Sequence, residues 1–324
     1  MTAGAAADLP LYAGLSAAEL DEIGAGLVPR TFADGETLMA QGERADGAHF
    51  LVSGKVRIAT KLPGGGETLI AEPGPGALLG ELALIRPEPR GASVRANGPV
   101  ETLFTDRRYF RAALGQRRTA SVKLLRNLIG ILTRRLHRTH RRIARHVTDE
   151  PKPDHFRPPP RAETGTPVDF DVAAYLGVLP ALAGFTDDER AGLFELGEVV
   201  QASRGTVLDP LAGGWIVVRG AVLAAVTHDT GLHQVHILGP GRFAALDRRI
   251  EPEALALTHV AREQSTLLRL SAEASRRLVD GDDALAQHAL DAIAHHQAGL
   301  LLGADRHLTR LVGLSRLYAQ HAAR

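Results

Sequence analysis

The sequence predicts an α+β chain built from two tandem antiparallel β-rolls (jelly rolls), each flanked by helices. Three observations carry this. First, the halves repeat each other: LYAGLSAAELDEIGAGLVPRTFADGETL (11–38) aligns with ALAGFTDDERAGLFELGEVVQASRGTVL (181–208). Gly14 pairs with Gly184, Leu15 with Phe185, Gly35 with Gly205 and Leu38 with Leu208 at a constant offset of 170. Further on, FLVSGKVRI (50–58) aligns with IVVRGAVLA (216–224) and GPG (74–76) with GPG (239–241), so the second copy has shorter turns. Second, short apolar runs broken by Gly and Pro indicate an antiparallel roll rather than a parallel sheet. Third, residues 148–167 carry six prolines and few apolar side chains, the composition of an extended linker.

In chain order, Ser16 is a helix N-cap with Glu19 three residues on, and Leu20, Ile23 and Leu27 share one face. The strands TLMAQ, HFLVSG, KVRIAT, ETLIAE, SVRA and ETLFT follow. Residues 117–147 then form a long helix, with Leu125, Leu128, Leu132, Leu136 and Ile143 at helical spacing. The domains expected are thus 1–147, the linker 148–167, and 168–324. The second copy ends in a plain helix with Leu285, Ile293, Leu301, Leu308, Leu311 and Leu317 on its apolar positions.

Composition narrows the function. The chain has 324 residues, a net charge of +1 and no cysteine, which excludes disulfides, thiolate zinc sites and cysteine nucleophiles. The N-terminus lacks a basic region and a long apolar core, so no secretory signal is expected. No run approaches 18 apolar residues, and the expected location is the cytoplasm. No GxSxG, P-loop or HExxH occurs, nor paired carboxylates in a catalytic context, so no enzyme is expected.

The stretch GALLGELALIRPEPRGASVRA (76–96) carries the chemistry. Gly80 lets a ligand approach the backbone N–H groups at the start of a short helix. Arg90 offers a forked, permanent cation to the same anion. Glu81 would repel a phosphate, so a sugar hydroxyl is its natural partner.

This stretch resembles the phosphate-binding cassette of the cyclic nucleotide-binding domain, shared by bacterial catabolite activator proteins and kinase regulatory subunits. FADGETLMAQGERADGAHFLVSGKVRI resembles the strands leading to it, and the resemblance covers roughly residues 10–147. It implies that Glu81 binds the ribose 2′-hydroxyl and Arg90 the cyclic phosphate, with the amides of Leu82, Ala83, Gly91 and Ala92 completing the cradle. Family members preferring cGMP often carry threonine where this chain has Gly91. That favours cAMP, with the Ser93 hydroxyl nearby, and leaves cGMP and cyclic di-GMP as alternatives. The resemblance also makes Thr139 and His140, in TRRLHRT and just beyond it, candidates to cover the purine.

The second copy departs from this pattern. Ala245 and Leu246 replace Gly80 and Glu81, and EALALTHV has no arginine, although Arg248 and Arg249 lie nearby. From Arg107 to Arg145 there are thirteen Arg/Lys residues and no acid. This run is either a solvated helix face or a surface for nucleic acid or an acidic partner. The histidines His137 and His140, and His228, His233 and His236, lack carboxylate or thiol companions at ligand spacing, so no metal is expected.

The expectation is a non-catalytic receptor without a cofactor, relaying a cyclic nucleotide allosterically to an unknown effector protein. A homodimer or an intrachain pseudo-dimer would use helices 117–147 and 282–322. About 40 residues follow the second roll, too few for a separate helix-turn-helix, so DNA reading is not expected. The rival readings are a nucleic-acid or acidic-partner binder and a ligand-independent scaffold.

Overall fold

The computed structural model describes residues 9–24, 26–62, 65–116, 119–147, 162–169, 179–209, 213–228 and 231–322. The chain divides into two compact units, Met1–Leu132 with Val312–Arg324, and Thr133–Leu311.

The first unit opens with helix α1 (Ala17–Gly24), capped as its sequence predicts: Glu19 N donates to Ser16 Oγ at 3.3 Å, and Ser16 N to Glu19 Oε2 at 2.7 Å. Strands β1 (Leu27–Phe32), β2 (Thr37–Met39), β3 (Gly47–Lys61), β4 (Glu67–Ala71), β5 (Leu78–Leu79) and β6 (Ser93–Asp106) form one antiparallel sheet in the order β1-β6-β3-β4. In it, β2 pairs with β6 and β5 with β3. Helix α2 (Leu82–Ile85) lies between β5 and β6. Met39, Leu51, Val56, Leu79, Val94, Ala96 and Val100 form the core of the roll.

The expected strands HFLVSG and KVRIAT are one continuous strand, as are SVRA and ETLFT. Gly54, with φ +84, and Gly98, with φ +81, do not break the chain. The β3–β6 register shifts between Leu51 and Ser53 and again between Ser53 and Lys55, so a left-handed glycine here makes a bulge that bends the ladder. A Cβ at Gly54 would sit 2.2 Å from Pro99 O, which is why glycine stands there.

Asp106 caps helix α3 (Arg107–Gly115) by accepting from Arg108 N and Tyr109 N. Helix α4 (Thr119–Val147) buries Leu124, Leu125, Leu128, Ile129, Leu132, Leu136 and Ile143. The basic run is partly spent on internal pairs: within the first unit Lys123 Nζ lies 2.9 Å from Glu19 Oε2.

Of the proline-rich stretch, residues 148–161 lie outside the described residues. Its end contributes two short strands to the second unit, β7 (Ala162–Glu163) and β8 (Thr166–Pro167). β8 is an edge strand on β9 (Gly197–Ala202), a position where proline's missing donor is harmless. Helix α5 (Asp187–Glu195) precedes β9 and carries a full capping box between Thr186 and Glu189.

The second roll continues through β10 (Val207–Leu208), β11 (Gly214–Arg219), β12 (Val222–His228), β13 (Gly231–Leu238), β14 (Phe243–Ala244), α6 (Asp247–Ile250), β15 (Thr258–Ala261) and β16 (Ser265–Leu270). These make two five-stranded sheets, β13-β12-β15-β10-β7 and β14-β11-β16-β9-β8, antiparallel apart from the parallel β10–β7 pair. Trp215, Ile216, Val217 and Val218 of β11 are all buried, on both faces of the strand. Ser271 caps helix α7 (Ala272–Asp280), and helix α8 (Ala284–Ala322) is the last described element.

The C-terminal half of α4, from Thr133, belongs to the second unit, although its apolar spacing assigns the whole helix to the first domain. There Arg134 pairs with Glu251 at 3.2 Å, and Arg135 with Asp305 of α8 at 3.0 Å. No helix among the described residues is long and apolar enough to cross a membrane.

Candidate functional site

Strand β5 ends at Gly80, whose φ of +74 turns the chain into α2. A Cβ there would lie 2.3 Å from Arg90 Nη1 and 3.0 Å from Met39 Sδ. Glycine is therefore required twice, for the left-handed turn and for the close approach of the guanidinium. Glu81 follows in helical conformation and is 1% exposed.

Arg90 is buried, with only 5% of its side chain exposed. Its Nη1 donates to Gly80 O at 3.3 Å and its Nη2 to Asp46 Oδ1 at 3.1 Å. The Nε lies 4.0 Å from Glu43 Oε1, and among the described residues this buried donor has no hydrogen-bond partner. Burial lowers the pKa of Arg90, while Asp46, Glu43 and Glu81 oppose that fall. A buried cation with a donor unspent stands ready for a small anion, because an unmade bond there carries its full desolvation cost. Asp46, 62% exposed, can give way to such an anion and be taken up by water.

The surrounding backbone is tied to this arginine. Gly42 N donates to Arg90 O and Arg90 N to Glu43 O, each at 2.9 Å. Gln41 N donates to Ser93 Oγ at 3.0 Å, so the Ser93 hydroxyl anchors the 41–46 loop. Thr60 Oγ1 donates to the carbonyl of Gly91, which is itself exposed. Of the four amides expected in the cradle, that of Ala83 is spent on Gly80 O at 3.1 Å. Among the described residues no carbonyl accepts from the amides of Leu82, Gly91 or Ala92.

Gly80, Glu81, Leu82, Ala83, Arg90, Gly91, Ala92 and Ser93 thus fall on one continuous β5–α2–β6 segment. Thr139 and His140 belong to the second unit. Thr139 Oγ1 donates to Asp305 Oδ1 at 3.1 Å, and His140 Nε2 lies 2.9 Å from His236 Nε2, all within the second unit. Both side chains are buried there, and His140 Nδ1 has no hydrogen-bond partner among the described residues. Asp46 and Glu43 were missed by the sequence reading. Their signal was present, as two acids in QGERADG between the glycines Gly42 and Gly47.

The second unit repeats the turn without its chemistry. Ala245 holds φ +61, the left-handed conformation of Gly80, and is the one non-glycine residue with positive φ among the described residues. Leu246 is buried and Asp247 accepts from Gln297 Nε2 of α8 at 2.5 Å. His296 and Leu300 of α8 line the same cavity, leaving space for about one water molecule.

Residues 29–117 match the family described as the cyclic nucleotide-binding domain. Over 134 residues the chain is 33% identical to a CRP-like cAMP-activated global transcriptional regulator of Mycobacterium tuberculosis, covering 41% of this chain and 58% of that protein. It is 35% identical over 133 residues to a cAMP-dependent protein kinase regulatory subunit of Mycosarcoma maydis, covering 41% of this chain and 24% of that one. The chain therefore spans less than two thirds of either relative. The crystal structure of the N-terminal domain of a Streptomyces coelicolor transcriptional regulator is 33% identical, with a TM-score of 0.35, over 37% of this chain and 83% of that one. The segment that carries Gly80, Glu81 and Arg90 lies inside residues 29–117, the part of the chain that matches the cyclic nucleotide-binding domain family.

Proposed function

We propose that the first unit is a receptor for cAMP, in preference to cGMP, and that it passes the binding event to a protein partner. The observation that carries this reading is the buried guanidinium of Arg90, with its unspent Nε beside the left-handed Gly80. The cyclic phosphate takes that donor and displaces Asp46. Glu81 accepts from the ribose 2′-hydroxyl, and the amides of Leu82, Gly91 and Ala92 supply further donors. Gly91 presents no side chain to the base, which supports adenine over guanine, as do the cAMP-linked names of the two relatives. Ligand changes the receptor's output only as far as it binds one conformation more tightly than the other.

Calorimetric titration of the whole chain with cAMP, cGMP and cyclic di-GMP tests this. One site per chain is expected, filled most tightly by cAMP, because Ala245 and Leu246 leave the second roll without its ligand groups. Absence of heat with all three ligands would end the receptor reading.

A second expectation concerns the turn itself. Gly80→Ala keeps every charge, yet its Cβ would push Arg90 Nη1 from its place and adopt a conformation costing about 1–2 kcal/mol. Affinity for cAMP is expected to fall at least about tenfold by the same titration.

A further inference from the structure

The second unit gathers seven histidines from four elements: His137 and His140 on α4, His233 and His236 on β13, His259 on β15, and His296 and His307 on α8. His137, His140, His236, His259 and His296 are each less than a tenth exposed. Three of their hydrogen bonds join separate elements. His140 Nε2 meets His236 Nε2 at 2.9 Å, joining α4 to β13. His233 Nε2 meets His307 Nε2 at 3.1 Å, joining β13 to α8. Leu255 N donates to His137 Nδ1 at 2.9 Å, joining α4 to the segment before β15.

Each joint constrains protonation by geometry alone. A backbone N–H can donate to His137 Nδ1 only if that nitrogen carries no proton. Two ring nitrogens facing each other at 2.9 or 3.1 Å need one donor and one acceptor, so at least one ring of each pair is neutral. A doubly protonated pair would set N–H against N–H. Among the described residues no three histidine or acidic side chains converge as metal ligands.

We propose that these histidines form a proton-operated latch, in which three imidazole joints hold the Thr133–Val147 half of α4 and the Ala284–Leu311 part of α8 onto the second roll while neutral and loosen on protonation.

The surrounding charges support this direction. His140 faces His137, His236, His259 and His307, and burial with these neighbours keeps its pKa well below the ordinary 6.5. His236 falls to about 4 by burial, then by His307 and His259. His259 falls to about 4 by burial, against the pull of Asp247. His296 falls to about 3 by burial, then by Arg242, His236 and His259. Burial also lowers His307, which faces Arg310, and His137, which faces Arg141. The opposing carboxylates are Asp247 and Glu251, each facing His137 and each already engaged, by Gln297 and by Arg134. Since the folded pKa values lie below 6.5, the open state binds more protons. Latch stability is therefore complete above about pH 6.5 and is lost as pH falls towards 4. The Arg135–Asp305 and Thr139–Asp305 contacts join α4 to α8 without an imidazole and add to the hold.

Hydrogen exchange of the whole chain at pH 7.5 and 5.5, corrected for intrinsic rates, tests the latch. Protection over 133–147, 231–238 and 296–311 is expected to fall about tenfold for each histidine freed in the opening. The double substitution His140→Leu/His236→Leu is expected to weaken that dependence over 133–147, leaving the share of His137. Protection independent of pH, or an unchanged dependence in the double variant, would overturn the proposal. Should the variant fail to fold, imidazole NMR of the native chain decides: resonances of His140 and His236 titrating near 6.5 refute the latch, and titration well below it supports it.

Discussion

Replacing Arg90 with alanine is expected to weaken cAMP binding by about 2–5 kcal/mol, from about 30-fold to a few thousand-fold. Two effects add. The phosphate loses the buried guanidinium, and Asp46, Glu43 and Glu81 then face it without the cation that balanced them. Arg90→Lys separates these effects. It keeps the charge but not the fork, and its single ammonium cannot reach both Gly80 O and Asp46 as the guanidinium does, so an intermediate loss is expected. Calorimetry reads the affinity, and an unchanged urea midpoint shows that the fold is kept. Unaltered affinity in Arg90→Ala would remove this pocket as the site of binding.

The largest loss of stability is expected in the second roll, at Trp215. This side chain is wholly enclosed on β11, paired in register with Ala244 and Arg269, and its Nε1 donates to Asp209 O at 3.2 Å. Truncation to alanine leaves a cavity that close-packed sheets cannot collapse, at a cost of about 3–5 kcal/mol. The second-unit transition should move down by about 2 M urea, given a slope near 2 kcal/mol per molar. Far-UV circular dichroism measures it in the variant. In the native protein the emission of Trp215, the only tryptophan, follows this unit alone. Unmoved transitions would mean that this part of the roll packs far more loosely than its burial implies.

Much of the fold was legible because each local rule had a local partner. Ser16 and Glu19 lie three residues apart, as do Thr186 and Glu189, so both caps can be read without knowing the tertiary structure. The cassette can be read for the same reason, because its proposed ligand groups fall within fourteen residues from Gly80 to Ser93. What was lost lay in long-range partners. Gly54 and Gly98 carry the composition of turns, and only the opposing strand makes them bulges inside β3 and β6. Asp46 gains its meaning from Arg90, 44 residues away.

The histidines are the clearest case. His233 and His236 stand out as a cluster in sequence, but their companions are His307 and His140, 74 and 96 residues distant. Thr139 and His140 fill the helical step between Leu136 and Ile143, on a helix whose apolar spacing otherwise runs from Leu125 to Ile143. Nothing in that spacing marks the point where one set of packing neighbours replaces another. The purine cover is what the resemblance of TRRLHRT implies, and in the second unit Thr139 and His140 make buried polar contacts with Asp305 and His236.

The division of α4 at Leu132 has a practical consequence for dissecting the protein. A cut in the proline-rich stretch, where composition invites it, would strip the second roll of a helix that belongs to it. The C-terminal fragment would then present bare the surfaces that cover Leu136, His140 and Ile143, and the N-terminal fragment would carry those three side chains into water. Both pieces would be sticky, and aggregation of either would say nothing about whether the intact halves fold. In this chain the border between units lies inside a helix, and the proline-rich stretch is the wrong place for the scissors.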